Sequence, residues 1–103
     1  KKKIDNENFI ISDVIEKPSK KNAPSNKAVI GRYILPKTIF SKLNYQKPSK
    51  GGEVHITDSI RSLIKDENKF IAHNFKGKYL DCGTLDGYIK SGLEISNLWN
   101  YAW

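Results

Sequence analysis

The chain has 103 residues, of which 38% are hydrophobic, and carries a formal net charge of +7 at pH 7. This length allows one domain, or part of one, with a small core. The aromatic content of 11% argues against a disordered chain. No apolar run approaches the about 20 residues that span a bilayer, so we expect no membrane partner.

The positive charge comes from 16 lysines and only two arginines. The lysines are scattered, and no arginine cluster is present to grip phosphates or guanines, so we expect no nucleic-acid partner. Cys82 is the only cysteine, which excludes an internal disulfide and favours a reducing compartment, the cytoplasm. The spacing of His55, His73 and Cys82 is not that of a zinc site.

The first half of the chain predicts two strands and the start of a helix. Residues 9–16 (FIISDVIE) and 28–35 (AVIGRYIL) are rich in branched apolar residues, and a polar loop with two prolines separates them. Gly31 is expected to mark a bulge or a close backbone approach. Pro36 suits the first turn of a helix that follows.

The second half predicts two more helices and one strand. Thr57 or Asp58 can cap a helix, and residues 69–75 (KFIAHNF) alternate weakly, as a strand does. Thr84 can cap a final helix whose apolar face comprises Leu85, Tyr88, Ile89, Gly92, Leu93 and Ser96. This order indicates an α/β or α+β unit. Its strands are too few to cover its apolar helical faces, which suggests a piece of a larger protein.

Three polar features could carry chemistry. Glu16 and Lys17 end a predicted strand, where a carboxylate can accept hydrogen bonds from sugar hydroxyls and an ammonium can bind a phosphate. Asp81 ends an extended segment before a glycine, a suitable place for a divalent-cation ligand. Glu53 and Asp58 flank a loop-to-helix junction. Taken singly, each feature is more often structural than functional: a surface pair, a carboxylate at a helix start, and a cap, respectively.

Four motifs in sequence carry more information than any one of them. The order "VIEKP", "APSN-x-AVIGRYIL", "GGEVHITDSI" and "YLDCGTLDGY" resembles the C-terminal part of the bacterial UTP–glucose-1-phosphate uridylyltransferases, from about Ile10 to about Ser96. The resemblance implies that residues 1–103 are the C-terminal, sugar-binding part of a nucleotidyltransferase domain. The implied fold class is α/β, part of a Rossmann-like α/β/α sandwich with a mixed sheet. The implied reaction joins UTP and glucose 1-phosphate to give UDP-glucose and pyrophosphate, with Mg²⁺.

The resemblance also implies roles for single residues. Glu16 would hold glucose hydroxyls, Lys17 would contact the phosphates, and the backbone at Val29 would line the sugar. Asp81, in "DCG", would help to hold Mg²⁺. Lys17 and Asp81 would therefore be the catalytic residues of this part of the enzyme.

The chain departs from the family pattern in ways that limit its activity. The glycine-rich signature that cradles the UTP phosphates, the uridine-recognition segment and a second metal-binding aspartate are absent from it. Leu85 stands where the family usually has a lysine. We therefore expect the isolated chain to be inactive. We also expect the protein to be a homo-oligomer, because its exposed sheet edges and apolar helix faces need covering. The alternative is a non-catalytic oligomerisation or regulatory module derived from the same fold.

Overall fold

The structure is a computed structural model that describes residues 2–49 and 51–99. Its elements in chain order are β1 (Lys2–Lys3), β2 (Asn8–Ile11), α1 (Thr38–Tyr45), α2 (Ile56–Lys65), β3 (Phe70–His73) and α3 (Leu85–Leu98). The predicted combination of helices and strands is confirmed. In the described part of the chain, no helix is long and apolar enough to cross a membrane.

The three strands form one antiparallel sheet in the order β1-β2-β3. Phe9 of β2 lies opposite Ala72 of β3, although 62 residues separate them in sequence. The turn between β1 and β2 is held by Asp5, whose Oδ1 accepts hydrogen bonds from the backbone N–H groups of Glu7 (2.7 Å) and Asn8 (2.8 Å). All pairs among the described strands are antiparallel. The mixed sheet that the resemblance implies would therefore need further strands.

The core is small and lies between helices α1 and α2. Its buried members are Val14, Ile39, Ile60 and Leu63, and partly buried Leu35, Leu43, Ile56, Ile64 and Phe70 pack around them. Val14 lies just after β2 and Phe70 begins β3, so the core joins the sheet to α1 and α2. Burial of these side chains is the main hydrophobic stabilisation of the unit.

A glutamine links the end of α1 to the start of α2. Gln46 donates a hydrogen bond from Nε2 to the carbonyl of His55 (2.9 Å). Its Oε1 accepts a hydrogen bond from the hydroxyl of Ser59, which is only 1% exposed. Because a buried hydroxyl without a partner is costly, this pairing fixes how the connecting loop leaves α1 and enters α2.

Two expectations about the first half of the chain were wrong. The strand predicted at 9–16 ends at Ile11, and residues 28–35 form no strand. Instead, the N–H of Arg32 bonds to the carbonyl of Ile30 (2.7 Å), which closes a tight turn around Gly31. The physical reason is that a strand needs a neighbour to satisfy its backbone N–H and C=O groups, and the described residues offer this segment none.

The helix starts were predicted with mixed success. Thr84 caps α3 as expected, since its hydroxyl accepts a hydrogen bond from the N–H of Gly87 (3.0 Å). The cap predicted for α2 was wrong: the helix begins at Ile56, and its N-cap is His55, which makes no side-chain capping bond. Thr57 and Asp58 lie inside the first turn.

The molecule is expanded for its length. Its radius of gyration is 17.0 Å, against about 13 Å for a compact domain of 100 residues. Large apolar side chains are exposed on α3 and in the segment 28–35, where Ile34 is fully exposed. The fold therefore leaves apolar surface that the described residues do not cover.

Candidate functional site

Glu16 is held against the first turn of α2. The hydroxyl of Thr57, a residue only 7% exposed, donates a hydrogen bond of 2.6 Å to Oε2 of Glu16. Glu16 itself is half-buried. The bond leaves Oε1 able to accept hydrogen bonds from a ligand, because a carboxylate offers two acceptor oxygens.

A second contact, one turn further along α2, holds the same segment. Arg61 pairs with Asp13 through two hydrogen bonds, from Nε to Oδ1 (2.7 Å) and from an Nη atom to Oδ2 (2.8 Å). This bidentate geometry is the strong form of the arginine–carboxylate pair. Its hydrogen bonds hold the pKa of Asp13 below the usual range for an aspartate. With Val14 buried between the two contacts, residues 13–16 are fixed to α2 at both ends.

Lys17 has an unusual backbone conformation. Its φ is 37°, in the left-handed region, which costs a non-glycine residue about 1–2 kcal/mol. Lys17 also precedes Pro18, which further restricts its backbone. The residue is exposed and directly follows Glu16, whose carboxylate is held by Thr57.

Val29 lies in the exposed segment between two anchor points. Before it, the ammonium of Lys27 donates a hydrogen bond to Oδ1 of Asn74 (2.9 Å) and lies 5.4 Å from the centroid of the Phe9 ring. After it, Leu35 packs against the core. Val29 is 57% exposed, so the residue is open to solvent.

Asp81 lies in the turn that leads into α3. Its Oδ1 accepts a hydrogen bond from the N–H of Gly83 (2.9 Å), and the residue is exposed. The described residues contain no group of three or more potential metal ligands. Mg²⁺, however, commonly binds through one or two carboxylates together with substrate phosphates and water. A single exposed carboxylate is compatible with such a partial magnesium site, to which Asp81 would supply one ligand.

No described contact joins all the predicted site residues. Glu16 and Lys17 are consecutive in sequence, and Glu16 contacts the first turn of α2 through Thr57. Among residues 2–49 and 51–99, no hydrogen bond or ion pair joins either of them to Asp81. The convergence of these three residues on one cavity stays a prediction.

The residues that position Glu16 were missed by the sequence reasoning. Thr57 was read as a helix cap, and Asp13 and Arg61 were not singled out. One signal was available: Thr57 and Arg61 are four residues apart, so they share a face of α2. Their partners lie 41 and 48 residues away in sequence, and no local pattern indicates them.

Comparison with known proteins gives the family. The sequence profile of the family described as "Nucleotidyl transferase" matches residues 3–97. The chain belongs to this family. The family-level part of the resemblance proposed from the four motifs is thereby confirmed.

Within this family, the chain is similar in sequence to individual UTP–glucose-1-phosphate uridylyltransferases. The chain is 47% identical over 81 residues to a UTP–glucose-1-phosphate uridylyltransferase of Pseudomonas aeruginosa, covering 79% of this chain and 29% of that protein. It is 43% identical over 88 residues to UTP–glucose-1-phosphate uridylyltransferase 2 of Streptococcus pyogenes, covering 85% and 29%. The chain thus spans about three-tenths of the length of these relatives.

Two solved structures of UDP-glucose pyrophosphorylases are also similar to this chain. A UDP-glucose pyrophosphorylase in complex with UDP-glucose superimposes with a TM-score of 0.86 at 42% identity, covering 95% of this chain and 37% of that one. The apo form of a UDP-glucose pyrophosphorylase gives 0.84 at 42% identity, covering 94% and 35%. The fold is therefore a portion of the nucleotidyltransferase fold.

We predict that replacing Asp13 by asparagine lowers the free energy of unfolding by about 1 kcal/mol at pH 7, a value discounted for the partial exposure of the pair. The folded-state pKa of Asp13 is lowered relative to about 3.9 in the unfolded chain. Its stabilising contribution is therefore present above about pH 4 and lost as the pH falls through the lowered pKa. Urea unfolding at a series of pH values should show the two proteins converging at low pH.

The control is Asp66→Asn, which removes an ion pair with Lys42 in which the aspartate is more exposed, 51% against 37% for Asp13. We expect a smaller loss of stability from it at pH 7. A difference between wild type and Asp13→Asn that stays constant from pH 7 to low pH would contradict the assignment.

Proposed function

We propose that this chain is the C-terminal, sugar-binding portion of a UTP–glucose-1-phosphate uridylyltransferase. The observation that supports this most strongly is the position of the "EKP" motif. In a chain that resembles these enzymes at 43–47% identity, Glu16 is fixed to α2 by Thr57 and is followed at once by an exposed ammonium. A carboxylate beside an ammonium suits a sugar phosphate, which presents hydroxyls and a negative charge on one molecule.

In the proposed reaction, a phosphate oxygen of glucose 1-phosphate attacks the α-phosphorus of UTP. A new P–O bond forms, the bond between the α-phosphorus and the bridging oxygen breaks, and pyrophosphate leaves. Catalysis of this kind depends on positioning and on neutralising charge. Glu16 would orient the glucose ring by accepting hydrogen bonds, the backbone of Val29 would line the sugar, and Lys17 would offset the phosphate charge.

Asp81 would be the contribution of this chain to metal binding. When bound, Mg²⁺ would neutralise the negative charge of the phosphates. The exposed turn before α3 leaves the carboxylate accessible to an ion that is shared with substrate phosphates. The rest of the site would come from the part of the enzyme that the chain does not match.

The complete enzyme would extend the fold described above. The Rossmann-like α/β/α sandwich with a mixed sheet would form when further strands join the antiparallel sheet. The homo-oligomeric state and the cytoplasmic location stay predictions for that complete protein.

The proposal is tested first by binding. UDP-glucose titrated into the chain should shift NMR signals around residues 16–18 and 28–30. Glu16→Gln should weaken binding at least about tenfold, because hydrogen bonds to a charged group contribute about 1.5–3 kcal/mol. The variant keeps an oxygen that can accept the Thr57 hydrogen bond, so the fold should be unchanged.

The matched control is Glu67→Gln, an exposed glutamate just after the end of α2, which should bind like the wild type. Equal affinity of Glu16→Gln and wild type for UDP-glucose would remove the support for a sugar site at this position. Shifts confined to other parts of the chain would do the same.

If Asp81 is a metal ligand, Asp81→Asn should differ from a control variant in its binding of a divalent cation. Mn²⁺ added with UDP-glucose should broaden the NMR signals near Asp81, and Asp81→Asn should abolish the broadening, since an amide is a far weaker ligand for a hard cation than a carboxylate. Asp86→Asn, in the first turn of α3 and paired with Lys90, is the control and should broaden like the wild type. Broadening that survives in Asp81→Asn would show that the ion binds elsewhere.

The isolated chain is predicted to form no UDP-glucose from UTP and glucose 1-phosphate. The reason is that it lacks the glycine-rich loop, the uridine segment and the second aspartate that the resemblance assigns to the complete enzyme. A coupled assay for pyrophosphate measures this directly. Robust turnover by the purified chain would contradict the prediction, whereas absence of both turnover and UDP-glucose binding would favour the non-catalytic module.

A further inference from the structure

Residues 18–34 form a mostly exposed segment without helix or strand. Two backbone hydrogen bonds shape it locally: the N–H of Asn22 donates to the carbonyl of Ser19 (2.9 Å), and the N–H of Arg32 donates to the carbonyl of Ile30 (2.7 Å). Both close tight turns within the segment, so neither fixes it to another element. Its position relative to the sheet therefore depends on side-chain contacts.

Lys27 makes a contact that leaves this segment. Its ammonium donates a hydrogen bond to Oδ1 of Asn74 (2.9 Å), 47 residues further along the chain, and lies 5.4 Å from the centroid of the Phe9 ring. Asn74 directly follows β3, and its N–H donates to the carbonyl of Glu7 (2.7 Å), directly before β2. Both partners of Lys27 are thus held by the pairing of β2 with β3, which gives the segment a fixed point on the sheet.

This contact depends on the charge and the donors of the ammonium. An ammonium offers three donors, and its charge is attracted to the face of an aromatic ring within about 6 Å. Lys21, in the same segment, is exposed and makes no hydrogen bond or ion pair within the part of the chain that the structure describes. Lys27 therefore differs from a solvated surface lysine in having two partners that are distant in sequence.

The position of Lys27 limits where Val29 can lie. Val29 follows two residues later, and two residues span at most about 7 Å, whereas Leu35, which packs against the core, is six residues further on. We propose that Lys27 is a positioning residue, which places the backbone at Val29 against a bound glucosyl group by holding the segment to the sheet. This inference rests on the proposed function, in which Val29 lines the sugar.

The test uses the 103-residue chain and three single variants. Lys27→Met keeps an unbranched side chain of similar length but removes the charge and the donors. Lys27→Arg keeps both, and Lys21→Met is the matched control, because it removes an equal charge from the same segment. Three quantities are measured for each protein: the NMR order parameters of residues 28–30 without ligand, the affinity for UDP-glucose by NMR titration, and the unfolding temperature by circular dichroism.

Lys27→Met should lower the order parameters of residues 28–30 and weaken UDP-glucose binding about threefold, since an exposed contact changes an equilibrium only a few-fold. Lys27→Arg should bind like the wild type, because it retains a positive charge and hydrogen-bond donors, and so should Lys21→Met. The unfolding temperature should be nearly unchanged, because Lys27 lies outside the core. Weaker binding without a loss of stability distinguishes positioning from a general role in folding.

The partner of Lys27 is tested with Asn74→Ala, which leaves the backbone hydrogen bond to Glu7 in place. This variant should also weaken UDP-glucose binding. The double variant Lys27→Met/Asn74→Ala should bind no more weakly than Lys27→Met alone, because the two side chains form one contact and their effects are not additive.

Equal affinity of Lys27→Met and the wild type for UDP-glucose would overturn the proposal. An equal loss of affinity in Lys21→Met would also overturn it, because the effect would then come from net charge, and so would additive losses in the double variant. In each of these cases the wild type still binds UDP-glucose, whereas failure of the proposed function means that the wild type itself does not bind. The order parameters of residues 28–30 are measured without ligand, so they show in either case whether Lys27 holds the segment.

Discussion

The attachment of residues 13–16 to helix α2 is the constraint on which the candidate site depends. Arg61 holds Asp13 with two hydrogen bonds, Thr57 holds Glu16 with one, and Val14 is buried between them. Each contact alone contributes little, about 1 kcal/mol for a partly exposed ion pair or a hydrogen bond. Because the three contacts act on four consecutive residues, together they hold the segment in a single position against α2.

This constraint also accounts for the backbone of Lys17. A φ of 37° is unfavourable for lysine and persists only where the surrounding structure imposes it. Here the preceding residue is fixed to α2 and the following residue is Pro18, whose own φ is restricted. The left-handed conformation thus lies directly between the residue fixed to α2 and a proline of restricted φ.

The stability available to maintain such strain is small. Among the described residues, only four apolar side chains are buried, and most ion pairs, such as Lys90–Asp86, are exposed and contribute little. The sheet and the α1–α2 pair share one core through Val14 and Phe70, while α3 and the segment 28–35 lie largely outside it. The described chain therefore combines a modest folded centre with two apolar regions at its periphery.

The features that were predicted correctly from the sequence depend on residues that are close together along the chain. Thr84 was identified as a cap because its bond partner, Gly87, is three residues away, and β3 was found from its alternating residues. The start of α2 was misplaced because Thr57 bonds to Glu16, 41 residues earlier, and does not cap its helix. The strand at 28–35 was predicted from β-propensity, which reflects packing against neighbours more than an intrinsic preference. The four motifs indicated the family because their order along the chain can be read without knowing any long-range contact.

The position of Asp81 depends on α3. A Cβ on Gly87 would collide with the carbonyl oxygen of Asp81, so the turn that carries the aspartate is in close contact with the first turn of the helix. Thr84 caps that same turn, and the ion pair of Lys78 with Glu94 ties the preceding loop to the middle of α3. Turn and helix therefore move as a unit, and any surface that fixes the apolar side of α3 also fixes the carboxylate proposed to bind the metal. In the isolated chain this unit has no described contact to orient it towards Glu16. A domain that covers α3 would thus fix the position of the Asp81 carboxylate, proposed as a metal ligand, relative to Glu16 and Lys17, proposed to bind the sugar phosphate.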